Sequence, residues 1–250
     1  MSYTELSSAE GITTVTLNRP KVNALNEPFV DELKAVFGEL GTDENTEAVI
    51  LTGEGSFFSF GFDIPEFLDY KKEDFHRYVT KFSELVRNMF VFPKPAIAAL
   101  NGHTVAGGCI LALSCDYRVM AAGKAKIALN ELTFGSTVFT SIVEMLRYAV
   151  GSRNSQYLLF GGKMHSAEEA LALGLIDEVS SAGDLNDAAR RTALDFAGRD
   201  KDAFVSVKKI LRKPYLERME REERASIKEF VNIWYSERTR DSLKKIEIRR

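Results

Sequence analysis

Three short stretches of this 250-residue chain combine residue types that could do chemistry. The first is Asn130-Glu131, which follows the β-prone run Lys126–Leu129. Sites in parallel α/β sheets gather at the carboxyl ends of strands, and a glutamate placed there can exchange a proton with a bound molecule. The commoner fate of such a residue is a solvated surface position. The second is Asn101–Cys109 (NGHTVAGGC), where a strand ends and a helix opens at Gly107-Gly108. A helix N-terminus offers unpaired N–H groups and the positive end of a dipole, which suits a developing negative charge. Glycines at such a junction can also do no more than relieve crowding between strand and helix. The third is Ser56–Ile64 (SFFSFGFDI), where aromatics beside a glycine read as backbone closely approached by a ligand under an apolar cover.

Other chemistries find no foothold. The sequence contains no GxGxxG, GxxxxGK[ST], GxSxG or HExxH motif. His76, His103 and His165 are far apart and lack ligand spacing, so neither a metal nor a histidine-based triad is expected. His103 follows a strand-ending glycine and is either a pocket-lining residue or an ordinary loop histidine. Cys109 and Cys115 share an apolar run and read as buried small residues of an intracellular chain, not as a disulfide. A net charge of −3 argues against nucleic acid or an anionic membrane as the main partner. A polyanionic ligand would have to be met locally, by helix N-termini and a few Lys or Arg. The polar opening MSYTELSSAEG is neither a signal nor a transit peptide, and the closing IEIRR is no recognised peroxisomal address. No apolar run approaches the roughly 20 residues needed to cross a bilayer, so a cytoplasmic protein is expected.

These stretches must be held by a framework, and hydrophobic periodicity outlines one. Residues 11–18 are β-rich; Asn26 caps a helix that Gly41 stops; Ala48–Thr52 is a buried strand ending in the turn Gly53-Glu54-Gly55. Phe75, Val79, Phe82, Leu85, Val86 and Met89 mark a second helix, stopped by Pro93-Lys94-Pro95. The spacing then predicts a strand over Ala96–Leu100, a short helix from Gly107 to Ser114, and strands at Tyr117–Ala121 and Lys126–Leu129. Helices near 140–150 and 153–160 follow. Ser166-Ala167-Glu168-Glu169 is a capping box for a helix that Gly174 closes, and Leu175–Val179 is a strand. Beyond it the chain reads helical to the end, with charge rising from Asp200. We expect an α/β core over residues 1–190 with largely parallel sheets, and a helical region over 191–250.

Taken jointly and in order, the motifs resemble the crotonase superfamily of enoyl-CoA hydratases and isomerases, over nearly the whole chain. Leu17-Asn18-Arg19-Pro20 with Asn23-Ala24-Leu25 is similar to the family's opening signature. Phe58–Ile64 is similar to its first oxyanion segment. Pro95–Gly102 with Ala106-Gly107-Gly108-Cys109, then Leu113 and Cys115-Asp116-Tyr117-Arg118, is similar to its second. The resemblance implies a spiral of ββα turns with a helical C-terminal region that assembles trimers or dimers of trimers. It assigns the oxyanion hole to the backbone N–H groups of Phe62 and Gly107, with Phe60, Gly61, Asp63, Ile64, Gly108 and Asn130 as substrate neighbours. Asp63 could serve equally as a helix cap.

One departure narrows the reaction. Hydratases of the family carry a glutamate just after Gly-Gly-Cys and a second at the position of Glu131, whereas here the first is Ile110. Holding and activating a water molecule takes both carboxylates; moving a proton from C2 to C4 takes one. The segment Leu129-Asn130-Glu131 and the stretch Phe230–Leu243 look most like Δ3,Δ2-enoyl-CoA isomerases of fatty acid degradation, with Glu131 as the base. Hydration, thioester hydrolysis or decarboxylation of another acyl-CoA is the alternative, and a non-catalytic offshoot stands behind both. Thr133–Phe139 lacks the Pro-Gly-Ala-Gly-Gly of many hydratases, and Phe60, Phe62, Phe134 and Phe139 narrow the acyl pocket.

On this reading no cofactor is needed, coenzyme A being part of the substrate. Lys208, Lys209 or Arg212 is expected near its phosphates. The apolar run Ile227, Phe230, Val231, Ile233, Trp234 and Leu243 is expected to face a neighbouring subunit, the alternative being its own core.

Overall fold

The computed structural model describes residues 2–246 of the chain. The elements run β1 (Thr4–Ala9), β2 (Ile12–Leu17), β3 (Ala24–Leu25), α1 (Glu27–Thr42), β4 (Ala48–Gly53), β5 (Phe57–Ser59), β6 (Gly61–Phe62), α2 (Ile64–Phe67) and α3 (Lys72–Phe90). Then come β7 (Ala96–Leu100), β8 (His103–Val105), α4 (Gly107–Ser114), β9 (Tyr117–Ala121), β10 (Ile127–Ala128) and a 3₁₀ turn at Glu131–Phe134. The chain continues through α5 (Thr140–Gly161), α6 (Ala167–Ala172), β11 (Glu178–Ser180), α7 (Leu185–Ala197), α8 (Lys201–Trp234) and α9 (Glu237–Leu243).

The strands are shared out as a spiral demands. In successive turns the first strand joins a six-stranded sheet in the order β1-β2-β4-β7-β9-β11. The second joins a smaller sheet, β10-β8-β5 or β3-β6, and helical chain leads back to the next turn. Apart from β1 with β2, all pairings between these strands are parallel, as crossover connections require. Alternation along β2, β4 and β7 points Val15, Leu17, Val49, Leu51, Ala98 and Leu100 to the main core. It points Ile12, Ala48, Ile50, Ile97 and Ala99 to the opposite face, where α7 lies with Leu185, Ala188, Ala189 and Ala193.

The expected elements need several corrections. The polar N-terminal segment forms β1, which pairs with β2 although five of its six side chains are exposed; backbone pairing, not burial, makes this strand. The strands expected at Lys126–Leu129 and Leu175–Val179 are Ile127–Ala128 and Glu178–Ser180. The helices near 140–150 and 153–160 abut at Gly151, whose φ of 73° kinks α5. A boundary at residue 190 would fall inside α7, which packs on the sheet. The last residues of IEIRR, 247–250, lie outside the described residues. No helix among the described residues is long and apolar enough to cross a membrane.

The helical region is not a separate unit. Ile227, Phe230, Val231, Trp234 and Leu243 are buried within the chain's own main core, so the run expected to face a neighbour faces inward instead. The ring of Trp234 stacks on Phe75 of α3 at 4.6 Å between centroids. Asp116 receives Lys208 at 2.8 Å and Arg212 at 2.9 Å, which pins α8 beneath the sheet. Further along, α8 caps α5: Glu223 accepts from Ser141 N–H at 2.8 Å and Ser226 Oγ from Thr140 N–H at 3.0 Å.

Candidate active site

The site is built where the second strands of the spiral end. Strands β8 and β10 are paired through Val105 and Ala128, and Ala106 N–H donates to Ala128 C=O at 2.9 Å. The chain leaving β8 into α4 is therefore locked beside the chain leaving β10 into the 3₁₀ turn, which brings Gly107 and Glu131 to one place. Ala106 turns the corner with φ 48° and ψ −117°, a conformation that costs a non-glycine residue on the order of 1–3 kcal/mol. No side chain caps α4, so the Gly107 N–H at its first turn has no intrahelical acceptor.

The segment Phe58–Ile64 arrives from the other side. Leu25 of β3 pairs with Phe62 of β6, and Leu25 C=O accepts from Asp63 N–H at 3.0 Å. In a parallel ladder alternate residues bond to the neighbour, so the Phe62 N–H turns away from β3. A Cβ on Gly61 would stand 2.8 Å from both Gly107 N and Val105 O, so the two segments approach as closely as they do only because that residue is glycine. The opening signature supports this arrangement. Arg19 donates to Ala24 C=O at 2.7 Å and forms an ion pair with Asp63 at 2.7 Å, while Ser59 Oγ donates to Asn23 C=O at 2.7 Å and accepts from Gly61 N–H at 3.1 Å.

Between the segments lies a cavity of about 280 Å³. Its lining includes Phe60, Phe62, Ile64, Gly107, Asn130 and Glu131, all named from the sequence. It does not include Gly61, Asp63, Gly108 or His103. Asp63 caps α2, accepting from Glu66 N–H at 3.3 Å, and is held by Arg19, so its role is positional. A Cβ on Gly108 would meet Ser59 O at 2.4 Å, so this glycine serves close backbone packing. The ring of His103 lies against Phe57 at 5.1 Å. Lys208 and Arg212 are buried on Asp116 and form no lining of the cavity; Lys209 is exposed.

The sequence reading missed the cavity roles of Phe230 and Trp234, whose spacing on α8 signals a buried helix face but not what that face encloses. Thr133, Ile142 and Ile246 were missed as well.

The electrostatics single out one group. Glu131 is 6% exposed, and its Oε2 has no hydrogen-bond partner among the described residues. Burial pushes its carboxyl from the ordinary 4.5 up to about 7, partly offset by its own backbone N–H. That places a proton acceptor near neutrality against an apolar wall that includes Ile110. The two thiols, Cys109 and Cys115, are free and buried, and burial raises both, so neither offers a thiolate.

Known proteins share this architecture. The structure of human mitochondrial Δ3-Δ2-enoyl-CoA isomerase superimposes with a TM-score of 0.94 at 26% identity, covering 97% of this chain and 96% of that one. A probable enoyl-CoA hydratase of Bacillus subtilis (strain 168) is 32% identical over 213 residues, 84% of this chain and 82% of the relative. A short-chain-enoyl-CoA hydratase of Clostridium acetobutylicum is 34% identical over 184 residues, 73% of this chain and 70% of that protein. The family model described as enoyl-CoA hydratase/isomerase matches residues 7–250. That match spans the two glycine segments, the buried glutamate and the spiral, and the chain belongs to the enoyl-CoA hydratase/isomerase family.

Proposed function

We propose that this enzyme is an enoyl-CoA delta isomerase, converting 3-enoyl-CoA to 2-enoyl-CoA in fatty acid degradation. The observation that carries the reading is a single carboxylate, Glu131, in a cavity where Ile110 occupies the place of the second glutamate of the hydratases. In the first step the Glu131 carboxylate takes a proton from C2. The C–H electrons flow through the thioester to its oxygen, giving a dienolate whose charge the N–H groups of Phe62 and Gly107 stabilise. In the second step the protonated Glu131 returns the proton at C4, the double bond settles between C2 and C3, and the carboxylate is restored. Coenzyme A belongs to the substrate, and no further cofactor enters the scheme.

A second reading is hydration, favoured by the names of the Bacillus and Clostridium relatives. Incubation with 3-enoyl-CoA and 2-enoyl-CoA separates the two by product analysis. An isomerase interconverts the double-bond isomers, whereas efficient formation of 3-hydroxyacyl-CoA from the 2-enoyl thioester would overturn our reading. Assembly as a homotrimer or hexamer now rests on a different face of α8 from the one first expected, where Val207, Ile210 and Leu211 are exposed. Sedimentation at micromolar concentration tests it, a stable monomer being the contrary result.

A further inference from the structure

The Glu131 carboxyl is aimed by its backbone. No side chain among the described residues donates to it: Oε2 is unpartnered, and the group takes only its own backbone N–H. Its direction is therefore set by the turn that carries it, and a 3₁₀ turn of four residues has poor hydrogen-bond geometry and little stiffness of its own. The turn enters from β10, which is fixed by pairing with β8. It leaves through Gly135, whose φ of 81° lets its N–H reach Leu132 C=O at 3.2 Å, while Ser136 N–H donates to Glu131 C=O at 3.0 Å. Both bonds are local. Among the described residues, one hydrogen bond ties residues 131–136 to another element: Thr239 Oγ1 of α9 donates to Gly135 C=O at 2.6 Å. Thr239 is 1% exposed and lines no part of the cavity. It is itself held, because Ser236 caps α9 and donates to Thr239 Oγ1 at 3.0 Å, and Arg240 donates to Leu68 C=O at 2.7 Å. One turn further on, Leu243 is buried in the main core.

We infer that Thr239 is a positioning residue for the base: its hydroxyl anchors the far end of the 3₁₀ turn and so fixes where the Glu131 carboxylate stands against the substrate. This rests on the reading of Glu131 as the base of an acyl-CoA enzyme. A freed turn lets the carboxylate swing, and a misplacement of about 1 Å can slow a reaction by about 10²-fold. It also admits water to a group that burial keeps near neutrality. Among the described residues no other ionisable side chain lines the cavity, so a change in the pH profile reports this carboxylate.

The test is steady-state kinetics of Thr239→Val and Thr239→Ser in the full chain, on whichever enoyl thioester the parent converts, with calorimetric binding of saturated butanoyl-CoA alongside. Valine keeps the volume and loses the hydroxyl; serine keeps the hydroxyl. Thr239→Val should lower kcat by about 10–10²-fold while butanoyl-CoA affinity stays within about twofold of the parent's. The inflection of its kcat/KM profile should move to lower pH than the parent's, and Thr239→Ser should restore both properties. If Thr239→Val does not fold, Thr239→Cys takes its place, its thiol being a far weaker donor. Parental kcat without the hydroxyl, a loss that appears in binding instead, a loss that Thr239→Ser does not recover, or an unmoved pH profile overturns the inference alone. A parent that converts neither 3-enoyl-CoA nor 2-enoyl-CoA, or near-parental turnover in Glu131→Gln, sinks the reading of Glu131 and the inference with it.

Discussion

Ile110 and Glu131 line one cavity from two adjacent turns of the spiral, Ile110 from α4 and Glu131 from the 3₁₀ turn after β10. The pairing of β8 with β10 holds these two turns side by side, so the apolar side chain and the carboxylate belong to one rigid frame. A water molecule placed between them would find a hydrogen-bonding partner on one side only.

Replacing the base tests the scheme most directly. Glu131→Gln keeps the shape of the side chain and removes its proton-accepting capacity. Isomerisation should fall by about 10²–10⁴-fold while affinity for a saturated acyl-CoA barely changes. Near-normal turnover in this variant would show that another residue is the base.

The pH profile follows from burial. Glu131 acts as a base when ionised, so kcat/KM should rise with pH up to about 7 and flatten above it. Stability moves the other way. A carboxyl raised from 4.5 to about 7 by folding is neutral in both states at low pH, and its stabilising contribution is lost as pH climbs through the folded value. The full loss corresponds to about 3 kcal/mol. Denaturant titrations from roughly pH 5 to pH 8 should therefore show Glu131→Gln gaining stability relative to the parent as pH rises.

Gly61 is the spacer between the two segments proposed to hold the thioester oxygen. In Gly61→Ala the new methyl would press on Gly107 N and Val105 O at a residue whose φ is 92°. Displacing one donor should lower kcat by about 10²–10³-fold. Thermal unfolding should report a loss of about 1–3 kcal/mol from the strained backbone.

Restoring a carboxylate at position 110 should not restore hydration. Ile110→Glu places a charge among apolar side chains without the room or the donors that a bound water needs. Hydration of 2-enoyl-CoA should stay at the parent's level while isomerisation falls; an efficient hydratase from this one change would contradict that account.

The Asp116 cluster should matter to folding rather than to coenzyme A. Asp116→Asn leaves Lys208 and Arg212 buried without their shared partner and should cost about 3–5 kcal/mol on denaturant unfolding. Affinity for coenzyme A in the folded fraction should be unchanged.

The sequence reading was strongest where local pattern and tertiary role coincide. Ala96–Leu100, Gly107–Ser114 and Tyr117–Ala121 carry their boundaries in glycines, prolines and unbroken apolar runs, and the structure keeps those bounds. The reading failed where the decisive partner is remote in sequence. Strand β1 exists because β2 offers it a ladder, and no alternation in Thr4–Ala9 announces that. Lys208 and Arg212 look like solvated cations on a helix until Asp116 is seen beneath them. Phe230 and Trp234 carry the signature of a buried face, which is the same whether the helix covers another subunit, a solid core or a substrate. At the site, Glu131 and the two glycine segments were legible as a set because each sits at a strand or helix end, while the α8 wall gave no such mark.

Because α8 closes the cavity, the site is finished only after the spiral that precedes it has been made. The turns that carry Phe62, Gly107 and Glu131 can be in place once the spiral has wound, yet Phe62 and Phe75 stay uncovered on one side until Trp234 and Phe230 dock against them. During translation the ribosome must release the chain through α8 before those rings are sheltered. The interval before docking is when a nascent chain presents its stickiest surface, and the moment at which a chaperone would be expected to hold it.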